Sequence, residues 1–440
     1  MNGFNYLHQD NQLSAMADNP YGLLVAPTGT GKGTIIERDV QLTVAGSKFD
    51  IRVVVSHRIV LSTQLAERII KRALNEGYNP IPTIAVHSGS PVELSDLDAE
   101  EDKIWLAATK HEAILDGAAL RHRLNELSTT THKKIVIATT YHSLSTVTLA
   151  LNDVKRTIDN MTVLSYLDEI HRGVGERFYE STLKHCNAFE WVYGFSATAG
   201  AEGSQMRNRI ESVVGPTIYE MEIAGAIDLG IITKPRWAVT QVDGQREKHL
   251  ANGVYQAFRE YANMSNKEPA VLVHTNGSQE IQTIVNTKNK ELRTLFSEFP
   301  SLLVADISSQ FGPRLTFLDQ TGKIETHNKQ HLSKQYLGIR DERTAWLKAI
   351  NEHTGSLLVV HIDICNAGID VPGFEFGLWT YMPSSESYII QGIGRSGRLS
   401  PLDRAALESG ILQVNNKDNW DKPYNTVGLL SFSEDPDDVE

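Results

Sequence analysis

A glycine-rich loop with a single lysine follows the first apolar segment of this chain. The loop residues are Thr28, Gly29, Thr30, Gly31, Lys32, Gly33 and Thr34. Glycines allow backbone amides to close around a phosphate group, and the start of a helix favours negative charge. A lysine at this position reaches the outer phosphates of a nucleotide. The loop therefore predicts a site that binds a phosphate chain.

Two adjacent carboxylates, Asp168 and Glu169, follow an apolar segment at 163–167. Ligands of open α/β sheets bind beyond the carboxyl ends of the strands. We expect Asp168 to hold Mg²⁺ through its water shell and Glu169 to activate an attacking water. An acidic pair alone is typical of a surface turn, but an upstream phosphate loop favours the functional interpretation. Small hydroxyl residues after the next predicted strand, Ser196 and Thr198, are candidates to hydrogen-bond this pair.

Two arginines three residues apart, Arg395 and Arg398, lie on a glycine-rich segment late in the chain. A guanidinium group is planar, always charged and binds phosphate through two hydrogen bonds. When a second domain supplies such arginines, they stabilise the charge of phosphoryl transfer. The alternative is a flexible loop with solvated arginines, and the segment alone does not decide between the two.

Short apolar runs alternate with helical patterns, which is typical of βαβ units and parallel sheets. Strands are predicted at 23–26, 51–56, 83–87, 134–139, 163–167 and 191–195, and then at 270–274, 302–306, 357–362 and 377–381. Helices are predicted at 59–74 and 112–127. We predict domains over 1–223 and 237–440 with a linker at 224–236, an insertion at about 88–133 and a hairpin-like insertion at about 311–331.

The composition predicts a soluble globular protein of a reducing compartment. A chain of 440 residues is too long for one core. Its net charge of −12 argues against a general coating of nucleic acid, although a basic channel on an acidic surface is compatible with it. Two cysteines are too few for a disulfide framework. No apolar run approaches the roughly 20 residues that span a bilayer. We therefore expect no membrane association and a cytoplasmic location.

The order of these motifs resembles that of superfamily 2 helicases with DExH boxes. Residues 29–32 match motif I, 168–171 motif II, 196–198 motif III, 368–372 motif V and 391–398 motif VI, while 56–58, 139–144 and 271–275 resemble motifs Ia, Ib and IV. The resemblance covers nearly the whole chain. It implies an α/β fold of two tandem RecA-like domains, each a mostly parallel sheet flanked by helices, with ATP in the interdomain cleft.

The resemblance implies a role for each catalytic candidate. Lys32 would bind the β- and γ-phosphates, Asp168 would hold Mg²⁺ together with Thr34 through water, and Glu169 would be the hydrolytic base. The remaining candidates come from the second half of the chain. They are Arg395 and Arg398 for the γ-phosphate, Gln391 for ordering the site, and Asp370 for the ribose or for positioning an arginine.

Three further groups of residues have roles by the same resemblance. Gln12 is the candidate that reads the adenine, with Gln9 as its rival. Coupling between the domains is assigned to His171, Ser196 and Thr198. Contacts to the nucleic-acid backbone are assigned to His57, Arg58, Thr139, Thr140, His274 and Thr275.

The chain departs from the family pattern at two glycines. Gly33 stands where a serine or threonine usually holds Mg²⁺, and Gly392 stands where many relatives have arginine. Three accounts of Gly33 are open: Thr34 supplies the hydroxyl, water and Asp168 hold the metal without it, or the site binds ATP poorly. Because the charged catalytic candidates are all present, we favour an active site.

We therefore expect an ATP-dependent DNA helicase or translocase that acts on branched DNA. The chain is most similar to the phage UvsW-type branch-migration helicases, which implies a role in phage or bacterial recombination, repair or replication. We predict a monomer with DNA as its partner. The alternatives are an RNA helicase of the DExH type and a nucleotide-gated clamp on nucleic acid with little turnover.

Overall fold

The computed structural model describes residues 7–42, 49–57, 59–76, 81–87, 112–130, 133–176, 178–265, 267–308, 310–328, 330–332, 342–362, 374–383, 389–390, 392–393, 396–414, 419–422 and 424–434. The chain forms two compact units, a first over Asn5–Ile223 and a second over Ala224–Glu440. Each unit is built on an eight-stranded sheet of its own.

The sheet of the first unit is entirely parallel among the described strands. These are β1 (Tyr21–Val25), β2 (Phe49–Ser56), β3 (Thr83–Val86), β4 (Glu112–Ala113), β5 (Lys134–Thr140), β6 (Met161–Asp168), β7 (Trp191–Ser196) and β8 (Thr217–Glu220), in the order β4-β3-β5-β2-β6-β7-β1-β8. Strand β2 is buried on both faces, which explains its near-continuous apolar run. Because β7 lies between β1 and β6, the segments that follow these three strands meet at one edge of the sheet.

Helices cover both faces of this sheet. They are α1 (Leu7–Asp18), α2 (Lys32–Gln41), α3 (Ile59–Asn75), α4 (Gly117–Ser128), α5 (Leu144–Val154), α6 (Ile170–Gly173), α7 (Tyr179–Cys186) and α8 (Gln205–Val214). One apolar cluster contains residues of α1, α2 and α3, such as Ile35 and Ile69. Another contains residues of α4, α5 and α8, such as Leu124 and Ile210. The unit is therefore a helix–sheet–helix sandwich with a core on each side.

The prediction of a helix at 112–127 is wrong at its start. Glu112–Ala113 pairs with β3 as an edge strand. Helix α4 begins only at Gly117, because the Asp116 side chain accepts a hydrogen bond of 2.8 Å from the amide of Ala119. A capping aspartate of this kind marks a helix start, and the helical periodicity upstream of it is misleading.

The sheet of the second unit is mostly parallel. Its strands are β9 (Lys234–Val242), β10 (Ala270–His274), β11 (Leu303–Ser308), β12 (Gly312–Leu318), β13 (Ile324–His327), β14 (Leu357–His361), β15 (Phe376–Trp379) and β16 (Tyr424–Phe432), in the order β13-β12-β11-β14-β10-β15-β16-β9. Its described helices are α9 (Ile223–Asp228), α10 (Arg246–Met264), α11 (Ser278–Ile284), α12 (Lys290–Glu298), α13 (Glu342–Glu352) and α14 (Pro401–Glu408). The predicted fold class, two mostly parallel sheets flanked by helices, is confirmed.

The segment at 311–331 and the end of the segment at 224–236 contribute strands to the sheet of the second unit. Strands β12 and β13 form a hairpin, and β12 pairs antiparallel with β11, so the hairpin continues the sheet. The segment at 224–236 contains α9 and the first residues of β9. Pro235 is accommodated because β9 is an edge strand, where one backbone donor is dispensable. Among the described helices, none is long and apolar enough to cross a membrane.

A buried network of charges anchors the C-terminal end of α2 to the sheet. Arg52, which is 1% exposed, donates to the carbonyl of Leu42 at 2.8 Å and to the carboxylate of Asp39 at 3.0 Å. The Tyr166 hydroxyl donates to the same carboxylate at 2.5 Å. Lys134 donates to the carbonyl of Val40 at 2.7 Å, and burial lowers the pKa of its amine to about 8. Cations are favourable at this end of a helix because its last carbonyls have no partner within the helix.

We expect Asp39→Ala to destabilise the protein by about 3 kcal/mol, because it leaves the buried Arg52 with only the longer ion pair to Asp50 at 3.8 Å. Urea unfolding measures this loss. The matched control is Asp153→Ala, which removes an exposed ion pair with Arg121 and is expected to cost less than about 1 kcal/mol. Equal losses in the two variants would contradict a structural role for the network.

Candidate functional site

The loop between β1 and α2 has the backbone conformation of a phosphate-binding loop. Gly29 and Gly31 have φ values of 94° and 87°, a left-handed region that side chains disfavour. A Cβ atom on Gly31 would lie 2.6 Å from Nε2 of Gln9. Glycine is therefore required at Gly31 both by the backbone angle and by the close approach of α1.

The loop also offers hydrogen-bonding groups that suit an anion. Gly31 is the N-cap of α2, and a glycine has no side chain that could accept hydrogen bonds from the first amides of the helix. Thr28 is 6% exposed, and its hydroxyl has no hydrogen-bond partner among the described residues. An unpaired buried hydroxyl beside an uncapped helix start fits a ligand with phosphate oxygens.

Lys32 lies folded across the loop. Its Nζ donates to the carbonyl of Ala26 at 3.0 Å, and the residue is 8% exposed. Helix α1 braces the opposite side of the loop, since Nε2 of His8 lies 2.9 Å from the carbonyl of Thr30. The lysine is thereby held at the start of α2, where it was predicted to bind phosphates.

An arginine from α3 occupies the space beside Gly33. A Cβ atom on Gly33 would lie 3.0 Å from Nη1 of Arg68. Nη2 of Arg68 donates to the Thr34 hydroxyl at 3.3 Å and pairs with the Glu37 carboxylate at 2.5 Å. The glycine at position 33 thus leaves room for the guanidinium group of Arg68. No sequence motif points to Arg68, because α3 and the loop are far apart along the chain.

Asp168 and Glu169 form a strained turn at the end of β6. Glu169 has a φ of 50°, which is unusual for a residue other than glycine. The hydroxyl of the buried Tyr141 donates to the carbonyl of Asp168 at 3.0 Å and fixes the turn from below. Strain of this kind persists only where surrounding contacts hold it, and it is frequent at functional sites. Tyr141 is a second residue of the site that the sequence did not indicate.

His171 connects this turn to the end of β7. Its Nδ1 lies 2.9 Å from the Ser196 hydroxyl and 3.4 Å from a Glu169 carboxylate oxygen. The Ser196 hydroxyl donates to the carbonyl of Thr198 at 2.9 Å, so the proton of the first contact lies on Nδ1. Burial lowers the pKa of His171, while the neighbouring Glu169 opposes this shift. The imidazole is therefore neutral at neutral pH.

A continuous path of polar contacts joins Lys32 to the Glu169 carboxylate within the first unit. Lys32 bonds the carbonyl of Ala26, and the amide of Ala26 bonds the carbonyl of Ser196 at 3.0 Å. The Ser196 side chain meets His171, which meets Glu169. The structure thus brings together the predicted residues Lys32, Glu169, His171, Ser196 and Thr198 at one edge of the sheet.

The two glutamine candidates of α1 differ in position. Gln12 is fully buried, and its Nε2 donates to the carbonyl of His8 at 3.2 Å within the same helix. Gln9 approaches Gly31 of the loop, and its Oε1 accepts from Arg38 at 3.5 Å. Gln9, the rival candidate, is thus the one in contact with the loop. The assignment of Gln12 to adenine stays a prediction.

The residues assigned to nucleic acid lie at strand ends, and several are buried. The Thr139 hydroxyl donates to the carbonyl of Val86 at 2.8 Å, and that of Thr140 to Ser143 at 3.5 Å. His57 is partly buried after β2, while Arg58 lies outside the described residues. Contact of these residues with nucleic acid stays a prediction.

The matching residues of the second unit, His274 and Thr275, are fully buried at the end of β10. The Thr275 hydroxyl donates to the carbonyl of His361 at 3.0 Å. The His274 ring stacks on Trp379, with centroids 4.4 Å apart and planes at 10°. Burial lowers the pKa of His274 to about 3. Their assignment to nucleic acid also stays a prediction.

Trp379 explains the second departure from the family pattern. A Cβ atom on Gly392 would lie 2.3 Å from the Trp379 ring. An arginine at Gly392 would therefore clash with the indole, and glycine is the residue that fits.

Among the late candidates, only Arg398 is described. It is partly buried, and its backbone forms an antiparallel bridge with Ile232. Asp370, Gln391 and Arg395 lie outside the described residues, so their roles stay predictions.

Comparisons with known proteins agree with the two-unit architecture. Residues 8–200 match the family model described as type III restriction enzyme, res subunit. No curated protein sequence matches the chain significantly. The ATP-dependent type ISP restriction-modification enzyme LlaBIII bound to DNA is similar over 99% of this chain, with a TM-score of 0.60 and 15% identity. The chain spans only 28% of that enzyme.

Two RNA-bound proteins share the same fold. A truncated Mss116p bound to single-stranded RNA and AMP-PNP is similar over 96% of this chain and 68% of its own, with a TM-score of 0.56 and 13% identity. A variant of Dbp5 from S. cerevisiae bound to RNA and ADP BeF3 is similar over 97% and 83%, with a TM-score of 0.52 and 13% identity. These likenesses confirm the predicted fold, in which two mostly parallel sheets flanked by helices match a tandem RecA-like architecture.

We expect Gly173→Ala to destabilise the protein by about 1–3 kcal/mol, because the added Cβ would lie 2.3 Å from the Tyr141 ring. The displaced tyrosine would release the carbonyl of Asp168. Thermal unfolding measures the loss. The matched control is Gly175→Ala, whose Cβ meets only the carbonyl of Arg172 at 3.7 Å. A control variant as unstable as Gly173→Ala would refute the packing argument.

His274 is expected to make the protein sensitive to acid. Its folded pKa of about 3 lies below the unfolded value of 6.5, so stability present above pH 6.5 is lost as pH falls towards 3. Between about pH 7.5 and about pH 5 this loss is about 2 kcal/mol, and His274→Phe should abolish it. Urea unfolding at both pH values measures the difference, with the exposed His122→Asn as control. The prediction fails if His274→Phe loses as much stability on acidification as the wild type.

Proposed function

We propose that this chain is an ATP-dependent DNA translocase or helicase, which couples ATP hydrolysis to movement along DNA or to separation of its strands. The observation that carries the proposal is the path from Lys32 through Ser196 and His171 to Glu169. It links a phosphate-binding lysine to a candidate base through residues that can report the state of the site.

ATP and Mg²⁺ fit the residues that the first unit presents. The uncapped start of α2 and the unpaired Thr28 hydroxyl suit the phosphate chain. Among the described residues, no group of three or more His, Cys, Asp or Glu side chains could hold a metal ion by itself. Mg²⁺ commonly binds through one or two carboxylates together with substrate phosphates. Asp168 would be that carboxylate, and the metal would neutralise charge on the phosphate oxygens.

The residues of this chain then have distinct tasks. The Lys32 ammonium exchanges the carbonyl of Ala26 for phosphate oxygens. The Glu169 carboxylate orients the attacking water and accepts its proton. Neutral His171 donates through Nδ1 to Ser196, so a change at Glu169 is passed to the end of β7. Arg398 contacts the γ-phosphate in this proposal, as the family resemblance implies.

DNA is favoured over RNA as the track. The family model is that of a restriction enzyme subunit, and the structure of the type ISP enzyme LlaBIII, which is similar over 99% of this chain, is of a DNA complex. RNA is the second candidate, because two relatives with the same fold are bound to RNA. Branch migration of the UvsW type rests on the sequence resemblance alone. A monomeric state is likewise a prediction from the sequence, and a cytoplasmic location rests on the composition.

A clamp without turnover is favoured by one observation. Arg68 contacts the Thr34 hydroxyl, which was assigned to Mg²⁺, and Gly33 offers no replacement. If Asp168 and water do not suffice for the metal, the site would bind nucleotide and hydrolyse it poorly.

We expect duplex DNA or a DNA junction to stimulate ATP hydrolysis, and Glu169→Gln to reduce the stimulated rate by roughly 100-fold or more while ATP still binds. The measurements are steady-state hydrolysis and strand separation with single-stranded DNA, a linear DNA duplex, a fork, a four-way junction and an RNA duplex. The exposed Glu202→Gln, also in the first unit, is the matched control.

Each substrate class leads to a different conclusion. Stimulation by RNA and not by DNA would replace the DNA proposal with the RNA helicase. Nucleotide binding without stimulated turnover would establish the clamp. A fork or junction that is separated faster than a simple duplex would support the branch-migration subtype.

A further inference from the structure

The second unit contains a buried lysine that the sequence did not single out. Lys422 is 2% exposed and lies in the connection between α14 and β16. Its Nζ donates to the carbonyls of Phe374 at 2.6 Å and Arg398 at 2.7 Å, and also to that of Ser396. An ammonium group has three donors, and here each has a carbonyl acceptor.

Burial of this charge is costly, and no carboxylate among the described residues forms an ion pair with it. Burial lowers the pKa of Lys422 to about 7, whereas the nearby Glu375 and Asp403 favour the charged form. Lys267 and Arg398 are close enough to disfavour it. A residue that costs this much free energy is expected to perform a task that a hydrocarbon could not.

The task that the geometry indicates is fixation of the segment at 396–398. Lys422 holds the carbonyls of Ser396 and Arg398, while the amide of Thr233 donates to the intervening carbonyl of Gly397 at 2.8 Å. Successive carbonyls are therefore held from two sides. The Asn425 amide adds a hydrogen bond of 3.2 Å to the Ser396 hydroxyl.

The lysine is itself held in place by a carboxylate. Asp403, which is 1% exposed, accepts the amide of Lys422 at 2.8 Å and that of Asp421 at 2.6 Å. The backbone of Lys422 is thus fixed independently of its side chain. Removal of the amine should loosen the segment at 396–398 and leave the connection around Lys422 intact.

We propose that Lys422 is a positioning residue for Arg398, whose guanidinium it aims at the nucleotide by fixing the backbone on either side. This inference rests on the proposed function, in which Arg398 contacts phosphate. A side chain of similar length without donors would leave three buried carbonyls unpaired, and the segment would sample other conformations.

The test compares Lys422→Met with Lys267→Met. Lys267 is 42% exposed and pairs with Glu375 and Asp421, so its loss removes a nearby positive charge without touching the three carbonyls. We expect Lys422→Met to lower kcat of stimulated ATP hydrolysis about tenfold with KM for ATP within about twofold, and Lys267→Met to change neither. Assays run well below the unfolding temperature of each variant.

A double variant separates positioning from general damage. If Lys422 acts through Arg398, then Arg398→Ala with Lys422→Met should be no slower than Arg398→Ala alone. Hydrogen exchange of the amides at 396–399 should be faster in Lys422→Met than in the wild type. If Lys422→Met does not fold, Lys422→Gln, which keeps two donors, takes its place in every comparison.

The outcomes distinguish the two proposals. If Arg398→Ala is inactive while both Lys422 variants hydrolyse ATP like Lys267→Met, the positioning role is overturned and the proposed function stands. The positioning role is also overturned if the fold-loss of kcat in the double variant equals the product of the fold-losses in the two single variants. If Arg398→Ala hydrolyses ATP at the wild-type rate, the proposed role of Arg398 fails and the positioning role fails with it.

Discussion

Two buried lysines and one partly buried lysine of this protein donate to backbone carbonyls, and much of the structure depends on this choice of partner. Lys32 donates a hydrogen bond to the carbonyl of Ala26, Lys134 to the carbonyl of Val40, and Lys422 to three carbonyls. A carbonyl is a dipole without net charge, so it satisfies the donors of a protonated amine without neutralising its charge. Helix α2 is accordingly held by a lysine at each end, and the one at its start still attracts an anion.

The strand order turns local contacts into a connected site. Because β7 separates β1 from β6, the residues after β7 are the natural bridge between the lysine and the carboxylates. Ser196 contributes its carbonyl to one side and its hydroxyl to the other. A small hydroxyl residue is suited to this position, because it is both donor and acceptor in a fully buried space.

The fold was largely predictable from the sequence, and the site only in part. Buried strands such as β2 and β6 are recognisable as largely apolar segments, whereas the exposed edge strands β8 and β9 are not. Spacing identified Lys32, Asp168 and Glu169, because glycines and carboxylates at strand ends form local patterns. Arg68, Tyr141 and Lys422 could not be found this way, since their partners lie far away in sequence. Their contacts depend on tertiary packing, which a single sequence does not encode in a readable pattern. The functional roles themselves stay predictions.

The contact between Trp379 and Gly392 limits how this chain could have diverged from its relatives. An arginine at Gly392 has no room while the indole is present, and a smaller residue at Trp379 would leave a cavity above His274 while the glycine remains. Either single step is disfavoured, so the two positions are expected to change together. The arginine is therefore absent because a tryptophan occupies its space. A search for related proteins should ask for the tryptophan and the glycine together, not for either residue alone.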